Sequence, residues 1–354
     1  MVKVKHGFWS ELKGKLGNLA ALQLIVCPSS EIHVDESVLK HDLRDRLQEM
    51  YRSFGGNHRF RSPNEIEQSQ FLRAMKRYLG TDDFNPVTMR REGFCGNPHC
   101  WTTRTVFTDF PVNETWVADL RNRKQAIHSE MQSQCDYWKA NPTSFDEDVN
   151  KEMKGFAQTV LEAYRFLAPA TFAPGIPPGV QHVVILVHLL ATEVKSARPN
   201  IADPVSEVEA FFASPFAQQT PFLDITCNLW ATIAQRVRSK KGSRQPKQSD
   251  TFDVTAISHF APYCDAMFVD NEFRGMAYER NVDLFGKYGV RLFSYKTRNE
   301  FLTYLDGILA SMSDAHIEGL SIVHPHLAPA LPHLRRTANS HGAIGAECRR
   351  SMGT

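Results

Sequence analysis

Helical spacing of apolar residues dominates the first two thirds of the chain. Phe8, Leu12, Leu16 and Leu19 recur at helical intervals and predict a helix over residues 8–20. The apolar run "LQLIVCP" follows and is closed by proline, so it predicts a short buried strand. The segment "SSEIHVDESVLKHDLRDRLQEMY" begins with serines that can cap a helix, and it predicts a long helix directly after that strand.

From about residue 60 to residue 235 almost every segment has helical periodicity. The segments "NEIEQSQFLRAMKRYLG", "DEDVNKEMKGFAQTVLEAYRFLA" and "PFLDITCNLWATIAQRVR" are typical of this part of the chain. A proline- and glycine-rich break, "APATFAPGIPPG", separates two of the predicted helices. The segment after it, "PPGVQHVVILVHLLATEV", contains many β-branched residues, but its length and its leading prolines favour a helix.

After residue 250 the pattern changes to strands that alternate with helices. A helix over 253–261, a strand "CDAMFV", a helix "NEFRGMAYERNVDLFGKY", a strand "VRLFS" and a helix "RNEFLTYLDGILASM" follow one another. Such alternation predicts an α/β protein with a parallel sheet. We therefore predict a split α/β domain at 1–55 and 240–310, a large all-helical insertion at 56–239, and a loosely ordered tail at 311–354.

The composition indicates the cellular location of the protein more clearly than it indicates its binding partners. The 354 residues are 42% hydrophobic and 23% charged with a formal net charge of +2, which is ordinary for a globular protein and neither demands nor excludes a polyanionic partner. The seven cysteines are odd in number and scattered, as expected for reduced thiols, and no apolar run approaches the roughly 18 residues that would span a membrane. We expect a cytoplasmic protein without a membrane segment.

Acidic residues lie where the two predicted strands end. The first strand ends just before the helix that carries Glu36, and the second ends at Asp270 and Glu272, while Asp253 begins the helix that leads into the second strand through Asp265. Because ligands gather at the carboxyl ends of parallel strands, these side chains are expected to converge. Converging carboxylates repel unless a cation intervenes, and their oxygens suit Mg²⁺ or Mn²⁺. We predict a metal site formed by this set.

A basic stretch precedes the acidic segment. The sequence "RVRSKKGSRQPKQSD" carries six cationic residues before its first acid, and its glycine, serines and proline predict a flexible loop over 236–247. Such a loop can attract phosphates without reading sequence, so it predicts an RNA partner. The loop residues are Arg236, Arg238, Lys240, Lys241, Arg244 and Lys247.

These segments together resemble the PIN-like nuclease domain. The resemblance rests on the strand followed by "SSEIHVDES" and on the spacing of two aspartates in "DVTAISHFAPYCDAMFVD", with the strand "GVRLFS" after them. It implies a Rossmann-like parallel sheet and a metal-dependent ribonuclease. It further implies that Glu36, Asp253 and Asp270 hold the metal and act in catalysis, with Asp265 and Glu272 as auxiliary ligands.

The chain departs from the family at its amino end. PIN-like domains open with a strand that ends in a metal-binding aspartate, whereas no aspartate precedes Asp35 here. Either that strand lies upstream of the sequence or the chain is a degenerate member of the family. The alternative function is therefore a catalytically inactive PIN-like scaffold, or an RNA- or protein-binding protein whose helical insertion contacts a partner.

Helix capping offers a simpler explanation for each acidic residue. Asp253 and Asp270 both precede predicted helices and can serve as N-caps. Glu36 lies in the first turns of a predicted helix, where a negative charge complements the helix dipole. The metal site and the capping role are both open on sequence grounds.

Overall fold

The protein is mostly helical. The computed structural model describes residues 6–39, 44–55, 58–82, 90–97, 113–167, 178–239, 244–245, 247 and 249–327, and 76% of these residues are helical while 4% lie in strands or bridges. The helices are α1 His6–Ala21, α2 Glu31–Val38, α3 Arg44–Gly55, α4 Pro63–Leu79, α5 Glu114–Ala140, α6 Phe145–Leu167, α7 Pro178–Ala197, α8 Pro204–Phe212, α9 Pro215–Gln218, α10 Pro221–Arg238, α11 Asp250–Phe260, α12 Asn271–Ala277, α13 Leu284–Tyr288, α14 Arg298–Ala310 and α15 Asp314–Val323; the strands are β1 Ala266–Phe268 and β2 Arg291–Phe293.

Local sequence sets where these helices begin and end. Helices α4, α8, α9 and α10 start with proline, which lacks the amide hydrogen that a first helical turn leaves unbonded. At the start of α4, Ser62 and Glu65 form a capping box in which each side chain accepts from the other residue's amide, at 3.3 and 2.9 Å. Gly80 ends α4 in the left-handed conformation, with φ of 72°.

The chain divides into two compact units. Unit 1 comprises Met1–Phe60, Phe94–Asn113 and Phe293–Thr354, and its described helices are α1, α2, α3, α14 and α15. Helix α1 packs against α3 and α14, and Lys15 of α1 forms an ion pair with Asp306 of α14. Leu22, just after α1, is buried with Leu320 of α15.

Unit 2 comprises Arg61–Gly93 and Glu114–Leu292, and α10 lies at its centre. Helix α10 packs against α6, α5 and α11, and its apolar residues belong to both large cores of the unit. Ile225, Leu229 and Ile233 join the core with α5 and α11, whereas Phe222 and Leu223 join the core with α4, α6, α7 and α8. A continuous apolar face on each side of α10 therefore joins the helices of this unit.

One polar side chain is buried where α4 meets α10. Gln70 of α4 accepts a hydrogen bond from the amide of Phe222 at 2.8 Å and donates one to the hydroxyl of Tyr263 at 3.1 Å. The Phe222 amide lies in the first turn of α10, where no helical carbonyl is available to it. Gln70 thus satisfies a buried donor that the helix leaves unbonded.

The sheet is a single parallel pair, β1 and β2, joined through α12 and α13. The strands predicted from "AMFV" and "VRLFS" are therefore present, with three residues each. The single helix predicted between them is two helices, separated at Asp283, which adopts a left-handed conformation with φ of 39° and caps α13.

The predicted α/β class with a Rossmann-like, PIN-like parallel sheet is wrong. A Rossmann-like sheet needs several adjacent parallel strands covered by helices on both faces, and the described residues contain one pair of three-residue strands. The predicted first strand, "LQLIVCP", has no strand conformation, because Leu22 and Leu24 pack against α14 and α15 instead of a neighbouring strand. In the predicted tail, α15 is helical, and residues 328–354 lie outside the described residues.

Candidate functional site

Asp270 follows β1 and caps α12. Its Oδ1 accepts a hydrogen bond from the amide of Phe273 at 2.7 Å, and its backbone is extended, as expected of an N-cap residue. The capping role considered from sequence is thus present at this position. The other carboxylate oxygen, Oδ2, faces Lys247, whose Nζ lies 3.7 Å away.

Lys247 joins Asp270 to Glu272. Its Nζ donates to Oε2 of Glu272 at 2.6 Å while it also lies within reach of Asp270. The side chains of Lys247 and Asp270 are 48% and 42% exposed, so solvent and solutes can reach both groups.

Arg244 forms the buried side of the same arrangement. Its guanidinium donates to both carboxylate oxygens of Asp250, at 2.6 and 2.8 Å, and its Nε donates to Glu272. The Arg244 side chain is 6% exposed and the Asp250 side chain is 0% exposed. We call these five residues, Arg244, Lys247, Asp250, Asp270 and Glu272, the Asp270 cluster.

The Asp270 cluster links the amino end of α11 to the carboxyl end of β1. Asp250 is the first residue of α11, and Asp270 and Glu272 follow the carboxyl end of β1. Because Arg244 binds both Asp250 and Glu272, the amino end of α11 lies beside the carboxyl end of β1. This is the edge at which the sequence predicted a set of carboxylates.

Opposite charges shift the pKa values of the cluster. Burial raises the pKa of Glu272, but hydrogen bonds from Lys247 and Arg244 outweigh it, so the net shift is downward. The pKa of Lys247 is raised, chiefly by its hydrogen bond to Glu272. Burial lowers the pKa of Arg244, yet its bonds to Asp250 and Glu272 raise it overall. Glu272, Lys247 and Arg244 therefore stay charged at neutral pH.

Side chains of the protein itself supply the cations at this edge. Two cationic groups, Arg244 and Lys247, face three carboxylates, and Arg236 lies 3.9 Å from Glu272 while it pairs with Glu279. Within the described ranges no group of three or more histidine, cysteine, aspartate or glutamate side chains is arranged to hold a metal ion. Because both oxygens of Asp250 are bonded to Arg244, a divalent ion would have only Asp270 and Glu272 as ligands here, and Lys247 would have to move away from them.

The other predicted site residues, Asp253, Asp265 and Glu36, are not among the five residues of the Asp270 cluster. Asp253 is in the first turn of α11, one turn after Asp250, and is half-buried. Asp265 precedes β1, at the end of the strand opposite to Asp270, and its backbone carbonyl accepts from the amide of Arg291 at 3.0 Å. Glu36 is an exposed residue of α2 in unit 1, whereas Asp253, Asp265 and Asp270 belong to unit 2.

Four of the six residues in the predicted basic loop pair with carboxylates. Arg236 and Arg238 are part of α10, and Arg238 forms a buried ion pair with Asp148 of α6. Arg244 and Lys247 belong to the Asp270 cluster, and Lys240 and Lys241 lie outside the described residues. Phosphate binding by these four residues would therefore compete with ion pairs inside the protein.

Sequence reasoning missed Asp250 and the role of Arg244. Asp250 is the first acid after the basic stretch, six residues beyond Arg244 and three beyond Lys247. That position at a helix start, directly after a run of cations, is the signal that could have identified an internal ion pair. The run of like charges instead predicted a flexible loop that attracts the phosphates of RNA.

The protein is thus mostly helical and carries the Asp270 cluster, in which carboxylates pair with cationic side chains of the same chain. No protein-family model, curated protein or solved structure matches the chain. Among the described helices, none combines the length and the apolar character that crossing a membrane requires. The function is therefore argued from the residues of this chain.

Proposed function

We propose that the Asp270 cluster hydrolyses RNA phosphodiester bonds with the help of Mg²⁺ or Mn²⁺. The observation that carries the proposal is the placement of two carboxylates, Asp270 and Glu272, on either side of the exposed amine of Lys247. Divalent magnesium is commonly held by one or two carboxylates, with water and substrate phosphate in the remaining positions. The pair therefore has the oxygen ligands that such an ion needs.

The residues have distinct roles in this proposal. Asp270 and Glu272 would hold the ion, which activates water and offsets the charge of the phosphate when bound. Lys247 would leave the carboxylates and contact the phosphate of the substrate, because its exposed side chain can move while its charge is kept. Arg244 and Asp250 hold Glu272 in position through buried hydrogen bonds.

Replacing Asp270 by asparagine tests the role of its charge. Asparagine caps helices as well as aspartate does, so Asp270→Asn keeps α12 and removes one ligand charge. We expect cleavage of a labelled single-stranded RNA in Mn²⁺ to fall by about 100-fold. Initial rates measured with and without a chelator provide the readout.

Asp203→Asn is the matched control. Asp203 caps α8 in the same way, by accepting from the amides of Val205 and Ser206 at 3.0 and 3.3 Å, and it lies outside the Asp270 cluster. This variant should cleave RNA at the wild-type rate. Equal rates for Asp270→Asn and Asp203→Asn would remove Asp270 from the mechanism.

A second candidate function is a non-enzymatic scaffold that binds RNA or a protein. It is favoured by the pairing of Asp250, Asp270 and Glu272 with cations of the protein, which makes the cluster stable without a metal. Calorimetric titration with Mn²⁺ separates the candidates. Saturable binding that is lost in Asp270→Asn supports the nuclease, and its absence in the wild type supports the scaffold.

We further propose a cytoplasmic location, together with a protein partner on the helical segment. Cys27, Cys95, Cys135 and Cys227 are free thiols among the described residues, and burial raises the pKa of Cys27 to about 11. Unreactive, unpaired thiols suit a reducing compartment.

A further inference from the structure

Unit 2 contains a cavity that the proposed function does not use. It has a volume of about 590 Å³ and lies between α5, α6 and α10. Trp138 and Cys227 line its buried side, whereas Tyr137, Lys151 and Thr159 are exposed where it opens to solvent. This volume lies within the range of roughly 300–1,000 Å³ that is typical of small-molecule sites.

Two carboxylates of α6 face this cavity, and one of them is fully bonded. Asp148 forms a buried ion pair with Arg238, accepts from the hydroxyl of Thr143 at 2.6 Å and accepts from the amide of Gln235 at 3.0 Å. The positive charge of Arg238 compensates the negative charge of Asp148, and the hydrogen bonds occupy the lone pairs of its carboxylate oxygens.

Glu152 is one helical turn further along α6 and has a different environment. Among the described residues no side chain or backbone group donates a hydrogen bond to its carboxyl group, and none forms an ion pair with it. Burial and, to a smaller extent, the charge of Asp148 together raise the pKa of Glu152 to about 7. A cation from outside the protein is therefore the partner that would stabilise its ionised form.

The lysine adjacent in sequence, Lys151, forms no ion pair with Glu152. Lys151 is adjacent in sequence, so the two side chains diverge from the helix, and the Lys151 Nζ lies 6.0 Å from the centre of the Tyr137 ring. Lys151 thus occupies the opening of the cavity and leaves the space in front of Glu152 available to a ligand.

Aromatic rings and a hydroxyl complete the cavity. The rings of Trp138 and Trp230 lie with centroids 6.5 Å apart, and both line the cavity with Phe156. Aromatic faces attract organic cations, tryptophan most strongly. The Oγ1 of Thr226 is buried in the same wall and has no hydrogen-bond partner among the described residues, so it can bond a ligand.

We propose that this cavity binds a small organic amine, with the ammonium group against Glu152 and the hydrocarbon part against the wall that contains Trp138 and Trp230. The pairing of one unbonded carboxylate with an aromatic wall selects this chemistry over a neutral or acidic ligand. A neutral ligand would leave the Glu152 carboxylate without a counter-charge, and an acidic ligand would place two negative groups together.

Tryptophan fluorescence of the full-length chain provides the test. The probes are phenethylamine, tryptamine and 1,5-diaminopentane, with 2-phenylethanol and phenylacetate as neutral and acidic comparisons. We expect saturable binding of at least one amine, and binding of the alcohol and the acid at least about tenfold weaker than that amine. Calorimetry repeats the titration for probes that absorb near tryptophan.

Glu152→Gln should weaken amine binding by at least about tenfold, because it keeps the size of the side chain and removes its charge. The matched control is Glu162→Gln, an exposed glutamate on the same helix that accepts from Gln158 at 2.8 Å and does not line the cavity. Trp230→Leu, checked for folding by circular dichroism, should also weaken binding. The proposal is overturned if no amine binds at millimolar concentration, if the alcohol binds as tightly as the amines, or if Glu152→Gln binds like the wild type.

Discussion

Asp148 and Glu152 lie one turn apart on α6, and their surroundings give them opposite properties. Asp148 has a guanidinium, a hydroxyl and an amide around it, so its charge is compensated. Glu152 faces the cavity without such partners, and the pKa of its carboxyl group rises from 4.5 to about 7. The Glu152 carboxyl group therefore releases its proton near neutral pH.

The raised pKa of Glu152 makes the stability of unit 2 depend on pH. The unfolded chain releases this proton near pH 4.5, whereas the folded chain keeps it until about pH 7, so stability falls as pH rises through that window. We expect Glu152→Gln to exceed the wild type in unfolding free energy by about 3 kcal/mol at about pH 8, with little difference at about pH 4. Urea unfolding monitored by circular dichroism at both pH values provides the measurement.

Glu162→Gln serves as the control in the same experiment. Glu162 is exposed and bonded to Gln158, so its removal should change stability by less than about 0.5 kcal/mol at either pH. A Glu152→Gln variant that shows the same small change at both pH values would contradict the half-buried, unpaired state of Glu152.

Single residues differ in how far their roles follow from sequence. Asp270 could be recognised as a cap or a ligand, because an aspartate after a strand and before a helix has few other uses. Glu152 could not, since the segment "FDEDVNKEMKGF" contains several acids at exposed helical positions. Its burial depends on α5 and α10, whose placement against α6 is set by long-range packing.

At the scale of elements, the buried ion pair between Arg244 and Asp250 stabilises the start of α11. Arg244 donates two hydrogen bonds to the Asp250 carboxylate with almost no exposure to solvent, and Asp250 also accepts from the amide of Lys247 at 2.9 Å. Removal of the arginine would leave a buried carboxylate without a counter-charge. The segment before α11 is thereby attached to the helix it precedes.

Arg244→Met tests this attachment. We expect the unfolding free energy to fall by about 3–5 kcal/mol, because Asp250 loses its partner in a buried position. Lys247→Met removes a half-exposed cation from the same cluster and should cost less than about 1 kcal/mol. Urea unfolding of both variants distinguishes the two effects, and equal losses would mean that the Arg244–Asp250 pair is exposed in solution.

Element prediction succeeded where the periodicity extended over several turns. The helices predicted around Leu12, Met75 and Leu305 are present as α1, α4 and α14. The short apolar run around Leu24 failed as a strand, because a few apolar residues fit a strand or an irregular segment packed against helices equally well. In this chain Leu22 and Leu24 face α14 and α15, and nothing within the run itself indicates those neighbours.

For the molecule as a whole, helical content separates the observed fold from the predicted one. A Rossmann-like α/β protein combines helix and strand signals, whereas 76% of the described residues here are helical. We expect a far-ultraviolet circular dichroism spectrum dominated by helix, with a fitted strand fraction below about 10%, well under the 20–25% of ordinary domains. A fitted strand fraction at or above that ordinary range would contradict the helical architecture.

The predicted metal site required a particular order and number of strands, and only the order could be predicted from the sequence. The order of α11, β1, α12 and β2 was readable, and it placed Asp270 and Glu272 correctly at the carboxyl end of β1. The number of strands was not readable, because a strand requires a partner whose position is determined by the rest of the chain. Glu36 was assigned to the same edge through a strand that is absent, so its link to Asp270 has lost its basis.

The amide of Gln70 has a consequence for how this sequence can change over evolutionary time. Its oxygen accepts from the Phe222 amide, so leucine at position 70 would leave that buried amide without its acceptor. A lineage that loses the glutamine therefore needs a new acceptor for the start of α10. Substitution at position 70 is in this way limited by a helix that begins about 150 residues later in the sequence.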